Sequence, residues 1–165
     1  MIRRLTESDW EAYRALRLEA LELAPEAFAT DLSEQVAKPP AYWQSRAAGE
    51  ANAFMFGAFD GDSLVGMAGL IREDRIKTRH KADIVSVYVS PAARGRGVAR
   101  LLIQGLIAEA RTMDGLEQLT LTVVQENQPA RQLYLSLGFT VYGTEPRSLK
   151  VGTRYYDEDD MILFL

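Results

Sequence analysis

Val87-Tyr88-Val89-Ser90-Pro91-Ala92-Ala93-Arg94-Gly95-Arg96-Gly97-Val98-Ala99-Arg100 is the stretch that decides how this chain is read. A β-branched, strand-like run ends at a proline. A loop of glycine and arginine follows, and an amphipathic segment begins on its far side. Gly95 and Gly97 allow backbone turns that a Cβ would forbid and let a ligand come close. The first N–H groups of a helix have no intrahelical acceptor and sit at its positive end. Together these parts predict a cradle for an anion, with phosphate oxygens as its natural occupants.

Working outward, residue identity excludes two nucleotide readings. A dinucleotide fingerprint requires a third glycine where Arg100 stands, and a Walker A loop requires Gly-Lys-Ser/Thr. The 165 residues suit one domain spanning 1–165, with 47% apolar and 25% charged side chains. Arg3, Arg4, Glu7 and Asp9 break any N-terminal apolar run. No stretch approaches the ~20 apolar residues of a membrane span. A cytoplasmic protein with no membrane partner is the expectation. There is no cysteine and only His80 among histidines, which argues against thiol chemistry, disulfides and a metal site. A net charge of −4 argues against a nucleic-acid partner. Positive charge gathers in two places, Arg72 to Lys81 and Arg94, Arg96 and Arg100, which suits a small anionic ligand.

The rest of the chain alternates strand and helix signals. Ile2 to Leu5 opens a strand, and Ser8 or Asp9 caps a helix to about Leu23, with Ala12, Leu16, Ala20 and Leu23 apolar. A second helix covers Pro40 to Ala48, with Trp43 facing the core. Phe54–Phe59 and Leu64–Ile71 flank the turn Asp60-Gly61-Asp62-Ser63 as a hairpin. Ala82 to Val89 is strand. Val98, Leu101, Leu102, Gly105 and Leu106 make a core-facing helix. Gln118 to Val124 alternates as a strand, and Pro129 starts a helix that Gly138 closes. Tyr155 to Leu165 reads as a last strand with a buried end. The order predicts an α/β chain, an α+β mixed sheet with helices on both faces.

A second block, Asn127-Gln128-Pro129-Ala130-Arg131-Gln132-Leu133-Tyr134-Leu135-Ser136-Leu137-Gly138-Phe139, lies downstream of the loop. Arg94, Gly97 and Ala99 resemble the Arg/Gln-x-x-Gly-x-Gly/Ala signature of the GNAT superfamily of acyl-CoA-dependent N-acyltransferases. The second block resembles that family's Asn-x-x-Ala-x-x-Leu-Tyr-x-x-x-Gly-Phe segment, in the family's order and at a family-like separation. The resemblance implies a mostly antiparallel sheet of about seven strands with a central splay. It also implies an N-acetyltransferase that moves an acetyl group from acetyl-CoA to a primary amine by direct attack in a ternary complex. A non-catalytic CoA-binding or regulatory module on the same fold is the alternative.

Further implications follow residue by residue. Backbone groups of Gly95, Arg96, Gly97, Val98, Ala99 and Arg100 would hold the pyrophosphate. Val87, Tyr88 and Val89 would pair with the pantetheine arm as an added strand does, and an N–H near Val87 or Val89 would face the thioester carbonyl. Asn127 would bond the same arm, and Arg94, Arg96 and Arg100 would neutralise phosphate. Tyr134 would be the acid for the departing thiolate. On periodicity alone it reads as a core aromatic beside Ala130, Leu133 and Leu137. The base is open among Asp83, Glu126 and, less suited, Ser86.

His80 and the basic run near it read as solvated loop, and Asp157 to Asp160 as a charged turn or an attractor for a cationic amine. Trp10, Trp43 and Pro25 to Phe28 are either core or acceptor-pocket wall. The acceptor, a small-molecule or protein amine, is left to the segments Leu23 to Ala48 and Tyr142 to Tyr156. Homodimers are frequent in the family.

Overall fold

The computed structural model describes every residue, Met1–Leu165. Seven strands form one sheet: β1 (Ile2–Arg4), β2 (Ala53–Asp60), β3 (Ser63–Arg72), β4 (Lys81–Val89), β5 (Gln118–Val124), β6 (Thr140–Val151) and β7 (Arg154–Phe164). Their order is β1-β2-β3-β4-β5-β7-β6, and every neighbouring pair is antiparallel except β4 with β5. Five helices cover the sheet: α1 (Trp10–Leu23), α2 (Leu32–Val36), α3 (Pro40–Ala48), α4 (Val98–Ala110) and α5 (Gln128–Ser136). No helix is long and apolar enough to cross a membrane.

The two-residue period of β2 divides the core in two. Phe54, Phe56 and Ala58 face α4 and join Leu102, Ile103, Leu106, Leu119, Tyr134 and Phe139. Met55 points the other way and joins Tyr13, Leu16, Trp43, Met67 and Tyr88 under α1 and α3. Each fully buried aliphatic or aromatic side chain contributes roughly 1.5–3 kcal/mol, so both layers are needed to hold the sheet.

Several expectations need correction. Ala12 and Leu23 are exposed, and α1 buries Tyr13, Leu16, Arg17, Ala20 and Leu21 instead. Leu101 is exposed as well, because the buried stripe of α4 is Leu102, Ile103, Leu106, Ile107 and Ala110. The end of the last strand is buried only in part: Met161 is fully buried and Leu163 and Leu165 pack on the core, but Phe164 is 70% exposed. Asp157 to Asp160 do not form a turn. They lie within β7, where alternation sends Asp159 into the protein and leaves Asp157 exposed. The segment Tyr142 to Tyr156 is a long β6–β7 hairpin, stabilised by its own ladder.

One feature of the sheet positions the site. β4 and β5 pair only from Lys81–Asp83 to Gln118–Thr120. Beyond that point they part. On the other side of β4, the register against β3 slips between Gly69↔Val85 and Met67↔Tyr88. Three steps along β4 face two along β3, which is a β-bulge at Ser86 and Val87. Ser86 takes φ of 57°, a left-handed conformation that costs a serine roughly 1 kcal/mol or more. A bulge adds twist and leaves backbone unpaired, and here it turns β4 away from β5.

Candidate active site

The glycine loop lies at the end of β4. Gly95 and Gly97 have φ of 74° and 77°, and a Cβ built on either would meet no atom within 4 Å. Conformation, and not crowding, therefore requires glycine here, and the concave side of the loop is open. None of the six N–H groups from Gly95 to Arg100 has a protein acceptor, and the first that does is Leu101, bonded to the Gly97 carbonyl at 3.1 Å. A row of free donors at a helix N-terminus is suited to hold an anion.

The arginine side chains take different places. Arg94 donates to the Val89 carbonyl at 3.0 Å and lines the cavity beside the loop. Arg96 is ion-paired with Asp60 at 2.8 Å, and Arg100 donates to Ser136 at 2.7 Å. Val98 turns its side chain to the core, as does Tyr88, whose hydroxyl donates to Glu19 at 3.0 Å. Burial, and then Glu19, push the Tyr88 phenol up to about 12. What these two residues offer a ligand is backbone.

Two cavities fill the gap between β4 and β5. The larger, 640 Å³, runs along Val87, Tyr88 and Val89 to Arg94 and Ala99 on one side and Asn127, Pro129 and Leu133 on the other. The smaller, 340 Å³, is lined by Arg17, Phe28, Ser86, Tyr134 and Glu158 among others. Val87, Val124, Asn127 and Ala130 line both, so the two cavities adjoin beside the bulge.

Asn127 stands at the join. Its side-chain oxygen caps α5 by accepting the Ala130 N–H at 3.3 Å, which leaves its amide N–H groups as donors. One heptad on, Tyr134 lines the smaller cavity and stacks edge-on against Phe139 at 6.0 Å. Burial alone raises its phenol well above the ordinary value, so it holds its proton at any physiological pH.

The expected base residues are less central. Asp83 accepts from Thr120 at the closed end of the gap and lines neither cavity. Glu126 lines the larger cavity but is ion-paired with Arg154 at 2.6 Å. Two carboxylates line the chamber with Tyr134: Glu26, and Glu158, which accepts from Ser148 at 2.5 Å. Sequence reasoning missed Glu158 by reading its segment as a turn. The alternation of Glu158 against Met161 was the available signal. Arg17 was missed too, hidden in an amphipathic helix. Phe28 does wall the cavity, whereas Trp43 is core and Trp10 lies elsewhere. His80 sits in the turn far from the gap, its carbonyl accepting from Glu117 and Gln118. No group of His, Cys, Asp and Glu forms a metal cluster.

The fold is shared with known proteins. The acetyltransferase (GNAT) family profile matches residues 4–139. The chain belongs to the acetyltransferase (GNAT) family. An N-alpha-acetyltransferase, RimI of Mycobacterium tuberculosis, is 34% identical over 113 residues, 68% of each chain. The Escherichia coli L-amino acid N-acetyltransferase AaaT is 29% identical over 95% of this chain and 93% of its own. The chain spans only 29% of the length of an uncharacterized Mycobacterium leprae protein that it also matches. Among solved structures, a Salmonella typhimurium putative acetyltransferase, yncA, with its cofactor acetyl-CoA, superposes with a TM-score of 0.80. It is 25% identical and covers 99% of this chain and 92% of its own. Membership in the GNAT family brings acetyl-CoA as acyl donor and N-acetyl transfer as the reaction class. The free N–H row and the cavity beside it suit such a donor, a pyrophosphate joined to a long extended arm.

Proposed function

We propose that the protein acetylates a primary amine of a small-molecule or peptide acceptor by direct attack, with donor and acceptor bound together, and that residues 1–165 act as one catalytic domain. One observation carries this reading: the cavity beside the free N–H row of Gly95 to Arg100 adjoins a chamber lined by the Tyr134 phenol and the carboxylates of Glu26 and Glu158.

Acetyl-CoA supplies an activated thioester acyl group when bound. The N–H row and Arg94 hold its phosphates. The unpaired edge of β4 from Val87 to Val89 and the Asn127 amide hold the extended arm, much as a sheet accepts a strand. A backbone N–H near Val87 or Val89 would face the carbonyl oxygen, where negative charge grows during attack. Donors fixed in advance at such a point are the largest single contribution in many acyl transfers.

Proton traffic falls to two side chains. An amine as basic as that of lysine, with a pKa near 10.4, is only about 0.1% or less neutral at pH 7. Glu158 takes its proton, directly or through one water. Tyr134 donates to the sulfur as it leaves, a role that its raised pKa suits because the proton is always present. No covalent enzyme intermediate is involved: the chain has no cysteine, and its one histidine is remote from the gap.

Free-thiol release from acetyl-CoA, measured with a panel of amines, tests this directly. Initial-rate lines that intersect when both substrates are varied are expected. Parallel lines would replace direct attack with a two-step exchange, and no calorimetric binding of acetyl-CoA would remove the transferase reading altogether.

A further inference from the structure

Arg17 is the one charged side chain in the protein interior that nothing balances. The residue is only 6% exposed, and its Nη1 has no hydrogen-bond partner. Nε reaches Gln35 Oε1 at a long 3.4 Å, and the guanidinium lies 4.6 Å from the centre of the Phe28 ring. Burial weighs most against its charge, and the polar groups around it are Tyr13, then a second arginine, Arg46, then Tyr42. No carboxylate forms an ion pair with it. Glu26 lines the same cavity, and it makes no ion pair with Arg17. A buried charge without a partner opposes folding, and such charges are ordinarily paired. Arginine's planar fork is the side chain best matched to a carboxylate.

Position supplies the rest. Arg17 lines the same chamber as Tyr134, on the wall formed by α1, while Glu158 enters from β7 across the gap. The chamber thus offers the Arg17 cation together with the carboxylates of Glu26 and Glu158, groups that can meet both ends of a zwitterion.

We propose that the acceptor is an amino-carboxylate, and that Arg17 is the specificity residue that anchors its carboxylate while the amine faces the transfer point. The inference rests on the transferase reading above. The carboxylate could belong to a free amino acid or to a short peptide, and the two are separated by experiment.

The test uses the full chain with acetyl-CoA and three sets of acceptors: the free L-amino acids, their carboxamides, and dipeptides. Thiol release is the readout. At least one free amino acid should exceed its carboxamide in kcat/KM by roughly tenfold or more, mostly through KM, because the amide leaves the guanidinium unpaired. If dipeptides show the advantage over their amides and free amino acids do not, the carboxylate is a peptide's. Arg17→Met should reduce the acid-over-amide ratio to near one, whereas Arg17→Lys should retain part of it. Arg17→Met should also melt no lower than the parent, since the charge it removes has no partner in the protein. Amides turned over as well as acids, no turnover of any amino-carboxylate, or a ratio unmoved by Arg17→Met would each overturn the proposal. Turnover of other amines in those cases would leave the transferase reading standing. Failure to bind acetyl-CoA would mark the failure of that reading instead.

Discussion

Arg131 Nε donates to Asp159 Oδ2 at 2.8 Å, and this bond ties the middle of α5 to β7. The Asp159 side chain is 3% exposed and also accepts from Gln125 and Thr144, at 2.7 and 2.8 Å. Asn127 and Tyr134 stand one turn either side of Arg131, so the pair sets where both meet the cavities. Asp159→Ala strands a guanidinium at the edge of the core and should cost about 3 kcal/mol. Thermal melting should fall by roughly 10 °C for a chain of this size. Acetyl-CoA affinity should fall with it, and melting unchanged from the parent would show that the pair does not hold the helix.

Tyr134→Phe removes a hydroxyl that no protein group engages, since burial is the only influence on it. Melting should stay within about 2 °C of the parent. Turnover should drop about a hundredfold with acetyl-CoA affinity little changed. Equal kcat in the two proteins would take the acid role from Tyr134.

Glu158→Gln keeps the shape that Ser148 bonds and removes the base. At pH 7 the expected loss in kcat/KM is about a hundredfold. The loss should narrow as pH rises, because the free amine then sheds its own proton. A constant deficit at every pH would assign Glu158 to binding and not to proton transfer.

Gly97→Ala places a Cβ in open space but on a backbone at φ of 77°. The strain should cost about 1 kcal/mol of stability. The larger effect should be on acetyl-CoA binding, read by calorimetry, as the loop shifts and its N–H row loses alignment. A stable variant with parental affinity would separate the loop from the phosphates.

Acid stability follows two carboxyls. The fork of Arg3, and next the Thr6 backbone N–H, hold Asp9 down at about 2 against the opposing effect of burial, and Arg131 and Gln125 hold Asp159 below the usual carboxylate range. Both folded values lie below the unfolded one near 3.9, so their stabilisation is complete above that pH and lost as pH falls towards about 2. Melting should be flat from pH 7 to about pH 5 and decline below about pH 4. Asp9→Asn should lower the plateau and flatten the acid limb, and an unaltered limb would exclude Asp9 as a contributor.

How far the sequence reached depended on the range of the interactions. The turn at Gly95 and Gly97, the cap at Asn127, the spacing of Tyr134 and the stop at Gly138 arise from contacts within a few residues. Residue types alone therefore determined them, and with them the half of the site proposed to hold the donor. The errors at Ala12, Leu23 and Leu101 are of another kind. Each sits at a helix position that is apolar in sequence, but the face that meets the sheet is chosen by packing. Tertiary structure alone decided the chamber. It exists because β4 and β5 stop pairing after Asp83 and Thr120 and a bulge at Ser86 turns the strand aside. It gathers Arg17 from α1, Tyr134 from α5 and Glu158 from β7. Those three residues are up to 141 positions apart in sequence, and only the sheet order places them on one cavity.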